Sequence, residues 1–188
     1  GLGSLLGFLA ATMGGWVDQV LSRFVDVVIS IPTLIFALIV LSSTGTSILA
    51  LVTVIAIIYA MPVYRIARAV AMDIEVMDYV EAARLRGEGL WWIMRREILP
   101  NALTPLAAEF GLRFCFVFLL ISGLSFLGLG LQPPLADWGA MVRDNGGGIA
   151  WGFMHPLVPA TCIALLTIGI NLIVDSAVQK ASGLREDH

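Results

Sequence analysis

The chain has 188 residues, 59% of them hydrophobic and 13% charged, with a formal net charge of −3. Soluble domains average about 25% charged and 45–50% apolar residues, and a mean hydropathy of +0.92 is more apolar surface than a soluble fold of this length can hide from water. The composition places the chain in a bilayer, and its acidic balance offers no electrostatic footprint for nucleic acid.

A hydrocarbon core about 30 Å thick takes about 17–25 apolar residues per helix. Residues 2–14 read as a first helix. No charge occurs in residues 1–17, so the basic region that opens a signal peptide is missing. The start therefore reads as a fragment boundary, inside or just before a membrane helix. From Val27 to Tyr64 there is again no charge, which is too long for one span. The polar run Ser42-Ser43-Thr44-Gly45-Thr46-Ser47 divides it into helices near 22–42 and 47–66. A further span covers about 102–126, and another about 156–178. Backbone groups in hydrocarbon must be satisfied within the segment, so each span is helical. The expected fold is all-α: one membrane bundle of about five spans, with a segment of about 67–100 on one side and a connection of about 127–155 on the other.

Basic residues set the orientation. Arg65, Arg68, Arg84, Arg86, Arg95 and Arg96 lie between Pro62 and Asn101, and Arg23, Lys180 and Arg185 fall on the same side. That face is assigned to the cytoplasm, with the N-terminus outside. Small residues at Gly3-xxx-Gly7 and Ala107-xxx-Gly111-xxx-Cys115 allow helices to approach closely.

Residues 73–100 are the most informative segment. Val76, Tyr79, Val80 and Ala83 recur at helical spacing. Asp73, Glu75 and Asp78 stand in the first turns, and Arg84 and Arg86 in the last, in the order the helix dipole favours. Gly87-Glu88-Gly89 stops this helix, and a second runs from Leu90 to just before Pro100. Ala82-Ala83 leaves a bare patch on which a partner surface could sit, flanked by Glu81. Trp91 and Trp92 suit the membrane interface.

Glu81-Ala82-Ala83, then Gly87, then Leu99-Pro100 resemble the EAA loop of permease subunits of binding-protein-dependent ABC importers. Glu97 stands where the family pattern has isoleucine. Arg23-xx-Asp26 followed by Pro32, the run from Ser125 to Met141 and Asn171-xxx-Asp175 are similar to the oligopeptide, dipeptide and nickel branch. The resemblance implies one half of a substrate pathway in a bacterial or archaeal plasma (inner) membrane. It implies a second permease subunit, two cytoplasmic ATPase subunits docked on the EAA loop, and an external substrate-binding protein. It also implies an outer connection that closes the pathway mouth and meets that binding protein.

The residues themselves carry little catalytic chemistry and call for no cofactor. The single lysine, Lys180, follows Gln179, so no P-loop is present. His155 and His188 have no zinc-hydrolase context, and no metal ligand set is expected. Gly123-Leu124-Ser125-Phe126-Leu127 falls one residue short of a nucleophile elbow, which leaves Ser125 with His155 as an intramembrane protease pair to be tested. Cys115 and Cys162 lie in apolar runs and suggest no disulfide framework. Glu109 and Arg113 lie four apart within a span, as a self-neutralised pair or as a polar pathway lining. Arg23 with Asp26 reads as a local pair, and Asn171 with Asp175 as helix–helix hydrogen bonding. A self-contained channel or secondary transporter is the alternative, although no internal repeat supports it.

Overall fold

The computed structural model describes residues 1–181, all in helices, turns and connecting segments with no strand among them; Arg185 lies outside them. In chain order the helices are α1 (Leu2–Met13), α2 (Gly15–Ser30), α3 (Thr33–Thr44), α4 (Ile48–Glu75) and α5 (Asp78–Leu85). After them come α6 (Leu90–Phe126), α7 (Trp138–Asn145) and α8 (Leu157–Ala181). Three helices, α4, α6 and α8, are long and apolar enough to cross a membrane; α2 and α3, bent by 87°, make a fourth crossing if they are one span, and α1 is a shorter apolar helix.

Several boundaries differ from those expected. The span near 22–42 begins at Gly15 and breaks before Pro32, because a residue preceding proline is pushed out of the α region. Ile31 is extended at φ −82°, ψ 126°. The span near 47–66 continues as helix to Glu75. Charge marks where hydrocarbon ends, whereas a helix needs a backbone breaker to stop it, and none intervenes between Arg65 and Glu75. Asp73 and Glu75 thus close α4, and the short helix starts at Asp78.

The second helix of the 67–100 segment does not end before Pro100. It runs unbroken into the next span through a π-helical turn at Met94–Ile98. Pro100 has no N–H to give the turn before it, and the wider turn absorbs the mismatch. The Asn101 side-chain amide donates to the Glu97 carbonyl (2.6 Å) beside the break. The connection 127–155 also contains regular structure. It holds α7, whose N-cap Asp137 accepts from the Gly139 N–H (3.1 Å), and a 3₁₀ turn at Gly146–Trp151.

Small residues set the packing. A Cβ at Gly7 would lie 2.6 Å from the Tyr64 carbonyl oxygen, and one at Gly3 would collide with the Ala60 carbonyl, so α1 crosses α4 backbone to backbone. Gly111 likewise admits Val174 of α8 into the surface of α6. Cys115 sits on the same seam, its thiol facing the Thr167 carbonyl at 3.8 Å. One core cluster joins Ala37 and Leu41 of α3, Leu51, Val54 and Ile58 of α4, and Leu124 of α6. Another, toward the arginine-rich end, joins Phe8, Ala67, Ala71, Ile74, Val80, Ala83, Ile93, Met94 and Ile98. Full burial of an aliphatic side chain is worth about 1.5–3 kcal/mol, so the second cluster fixes α5 firmly to the bundle.

Candidate functional site

The segment from Glu75 to Pro100 forms a helical hairpin standing off the bundle. Its first arm, α5, buries Val80 and Ala83 completely against α4 and the start of α6. Its other face is open: Glu81, Ala82, Leu85, Arg86 and Gly87 are exposed. Ala83 therefore does not contribute to a bare outward patch, because its methyl group meets the chain's own core. The small-residue pair divides its labour, Ala83 inward and Ala82 outward. Gly87 turns the chain at φ +81°, a conformation that a residue with a Cβ resists. Its N–H donates to the Arg84 carbonyl (2.9 Å) and that of Glu88 to the Ala83 carbonyl (3.2 Å), which closes the helix end. Leu99 and Pro100 are exposed on the continuous α6.

Two contacts invisible in sequence spacing brace this hairpin. Arg84 is paired with Glu75, tying α5 to the end of α4. The Arg86 guanidinium stands 5.9 Å from the Trp92 ring centroid, linking the two arms. Together with the buried cluster they join the hairpin to α4 and α6.

Glu109 and Arg113 are ion-paired along one face of α6. The Glu109 side chain is 6% exposed and that of Arg113 22%. Arg113 also lies 5.7 Å from the Phe116 ring centroid. Both residues border a cavity of about 540 Å³ with Phe8, Val63, Trp91 and Leu106 among its walls. Glu109 also reaches a second crevice, about 410 Å³, between α6 and α8. Asn171 and Asp175 line that crevice, and among the described residues neither side chain makes a hydrogen bond across the helices. The pair is thus both self-neutralised and placed against open space.

Arg23 and Asp26 form no ion pair among the described residues. Instead Asp18 of α2 accepts two hydrogen bonds from Arg68 of α4, and Ser22 meets the Tyr64 hydroxyl at 3.0 Å. Asp18 and Arg68 are separated by 50 residues, so no local spacing could have paired them.

Ser125 is 1% exposed, which rules against a nucleophile open to substrate. Its hydroxyl accepts from the Leu131 N–H (3.3 Å), its carbonyl from Arg143 (3.1 Å), and Gly130 packs directly over it. Gly128 at φ +88° ends α6 and turns the chain back, with the Leu129 N–H donating to the Leu124 carbonyl (2.8 Å). His155 lies against the Phe153 ring and makes no bond to Ser125 among the described residues. The glycine-rich run is a structural turn that seats the 127–155 connection on α6. There Trp138 meets Phe118 edge to face at 6.2 Å.

Among the described residues the chain is a polytopic helical membrane protein, with a braced hairpin at one end and a folded connection at the other. Residues 3–181 match the family described as binding-protein-dependent transport system inner membrane component, and the chain belongs to that family. Among curated relatives, it is 34% identical over 175 residues to the "Probable D,D-dipeptide transport system permease protein" of Escherichia coli (strain K12), covering 93% of this chain and 58% of the relative. A glutathione transport system permease protein of Pectobacterium atrosepticum is 31% identical over 93% of this chain and 58% of its own length. A di/tripeptide transport system permease protein of Pseudomonas aeruginosa is 34% identical over 92% of this chain and 57% of its own. The chain thus spans less than two thirds of the length of these relatives.

Proposed function

We propose that this chain is a permease subunit of an ABC importer that forms half of a substrate pathway and carries peptides or a similar small solute. The observation that carries the coupling part is the hairpin at Glu75–Pro100. Its inner face is locked into the bundle by Val80 and Ala83, while its outer face presents Ala82 and a glycine turn. A coupling element must transmit force without yielding and must let a partner approach closely, and this arrangement does both. Cytoplasmic ATPase subunits dock on that outer face. A second permease subunit has an apolar surface to pack on, since only 6% of the residues in the most apolar stretch of α8 are buried within the chain. An external binding protein delivers the solute at the side bearing α7. The names of the relatives, which concern dipeptides, glutathione and di/tripeptides, support the substrate class.

The test uses the assembled transporter in vesicles. Ala82→Trp adds bulk to the open face without touching the core, and Gly87→Val strains the turn. Both should insert normally, lose solute uptake and retain less ATPase on co-purification. Full uptake and full ATPase retention by both variants would reduce the hairpin to an interfacial structure.

A further inference from the structure

Among the described arginines, Arg68, Arg84, Arg113 and Arg143 each pair with a carboxylate, and Arg86 rests on Trp92. Arg23, Arg65, Arg95 and Arg96 are exposed and have no acidic partner among the described residues, and of these four only Arg95 and Arg96 are adjacent. These two stand on the π-helical turn Met94–Ile98, and with Trp91, Trp92 and Pro100 they line one open cavity of about 740 Å³. π-Helical turns recur at functional sites, and this one carries both arginines to a common recess beside an indole that is 63% exposed.

The position of this recess along α6 selects its occupant. α6 has 37 residues, about 55 Å of helix, whereas the hydrocarbon core needs only about 20 residues. Measured from Ala102, where the apolar stretch begins, Arg95 and Arg96 lie about 9–11 Å farther along the axis. That is the depth of the headgroup layer, where tryptophan concentrates and arginine meets lipid phosphate. A guanidinium pair offers forked N–H donors to a phosphate monoanion, and the exposed Trp91 ring beside it offers an apolar face at the same level. Glu97, the acidic neighbour in sequence, is half-buried and leaves the two arginines to solvent.

We propose that Trp91, Arg95 and Arg96 form a binding site for the phosphate headgroup of an anionic phospholipid in the leaflet on the arginine-rich side. The lipid anchors the base of the hairpin at the point where it joins the transmembrane part of α6.

Native mass spectrometry of the detergent-purified full chain, with equal amounts of phosphatidylglycerol and phosphatidylcholine added, tests this. Unaltered protein should retain phosphatidylglycerol in preference by about tenfold or more, as expected of paired arginines near an anionic surface. Arg95→Gln with Arg96→Gln should bring the ratio near parity, while Arg95→Lys with Arg96→Lys keeps most of the preference and guards against misfolding of the neutral variant. Arg23→Gln, which removes an exposed arginine elsewhere, should leave the ratio unchanged. Millimolar inorganic phosphate should not displace the lipid. Equal binding of both lipids by unaltered protein, an intact preference in the double glutamine variant, or an equal loss in Arg23→Gln would overturn the proposal. Displacement by phosphate would show a site for free anions instead. An intact lipid preference with lost ATPase retention would make the cluster a protein contact. The lipid readout is independent of transport, so its failure leaves the permease reading standing.

Discussion

Replacing Glu109 and Arg113 with leucine, singly and together, separates their structural role from any role in the pathway. Breaking a buried ion pair by removing one partner costs about 3–5 kcal/mol, while replacing both by apolar groups is close to neutral. The two single variants should not be equivalent. Glu109→Leu leaves an arginine that is 22% exposed and keeps the Phe116 ring 5.7 Å away. Arg113→Leu loses that cation–π contact as well, about 0.5–2 kcal/mol that Glu109→Leu keeps. Arg113→Leu leaves a carboxylate that is 6% exposed with no other hydrogen-bond partner among the described residues. The expected order of damage is Arg113→Leu at about 3–5 kcal/mol, Glu109→Leu about 1–2 kcal/mol milder, and the double variant within about 1 kcal/mol of the original. At about 2–4 °C per kcal/mol for chains of this size, Arg113→Leu should melt about 6–20 °C lower. Thermal unfolding of the purified transporter reads this cycle, and uptake by the double variant reads the pathway role. A double variant as unstable as the sum of the singles would refute the pairing argument. Normal uptake by a stable double variant would remove both residues from the pathway lining.

Three further outcomes are expected. Ala83→Trp should lower the melting temperature and loosen the hairpin, because its methyl group is fully buried; Ala82→Trp should not, and equal melting of the two would contradict the inward–outward division. Gly7→Val should drive α1 off α4, because even a Cβ there would lie 2.6 Å from the Tyr64 carbonyl oxygen. Overpacking of this kind costs about 1–3 kcal/mol or more, and proteolysis within α1 would report it; unchanged resistance would mean that the helices separate freely. Cysteines placed at Gly45 or Gly147, after replacement of Cys115 and Cys162, should react with impermeant thiol reagents applied outside intact cells. A cysteine at Glu88 should not, and its labelling would reverse the orientation.

Much of the membrane part was legible in sequence. Apolar stretches without charge mark segments that must satisfy their backbone internally, and in lipid that leaves only helix. Gly3, Gly7 and Gly111 announced close crossings for a steric reason, and each faces a neighbouring helix. The glycine turn at Gly87 was equally readable, since a positive φ favours a residue without Cβ. Helix ends were less readable. The chain was divided at charges and prolines, yet Arg65 and Arg68 lie inside α4 and Pro100 inside α6. A helix tolerates both where neighbouring side chains or a π turn restore its hydrogen bonds.

The sequence alone determined the membrane class, the helical content, the arginine-rich side and the hairpin motif, because composition and local spacing carry that information. Only the tertiary structure decided which face of α5 is buried, how Asp18 finds Arg68, and where Arg84 and Arg86 brace the hairpin. It also decided that Ser125 is sealed beneath Gly130 and that Arg95 and Arg96 are left without carboxylate partners. These depend on how helices rotate and cross when small residues bring their backbones together. That rotation is set by contacts between residues distant in sequence, which no local pattern encodes.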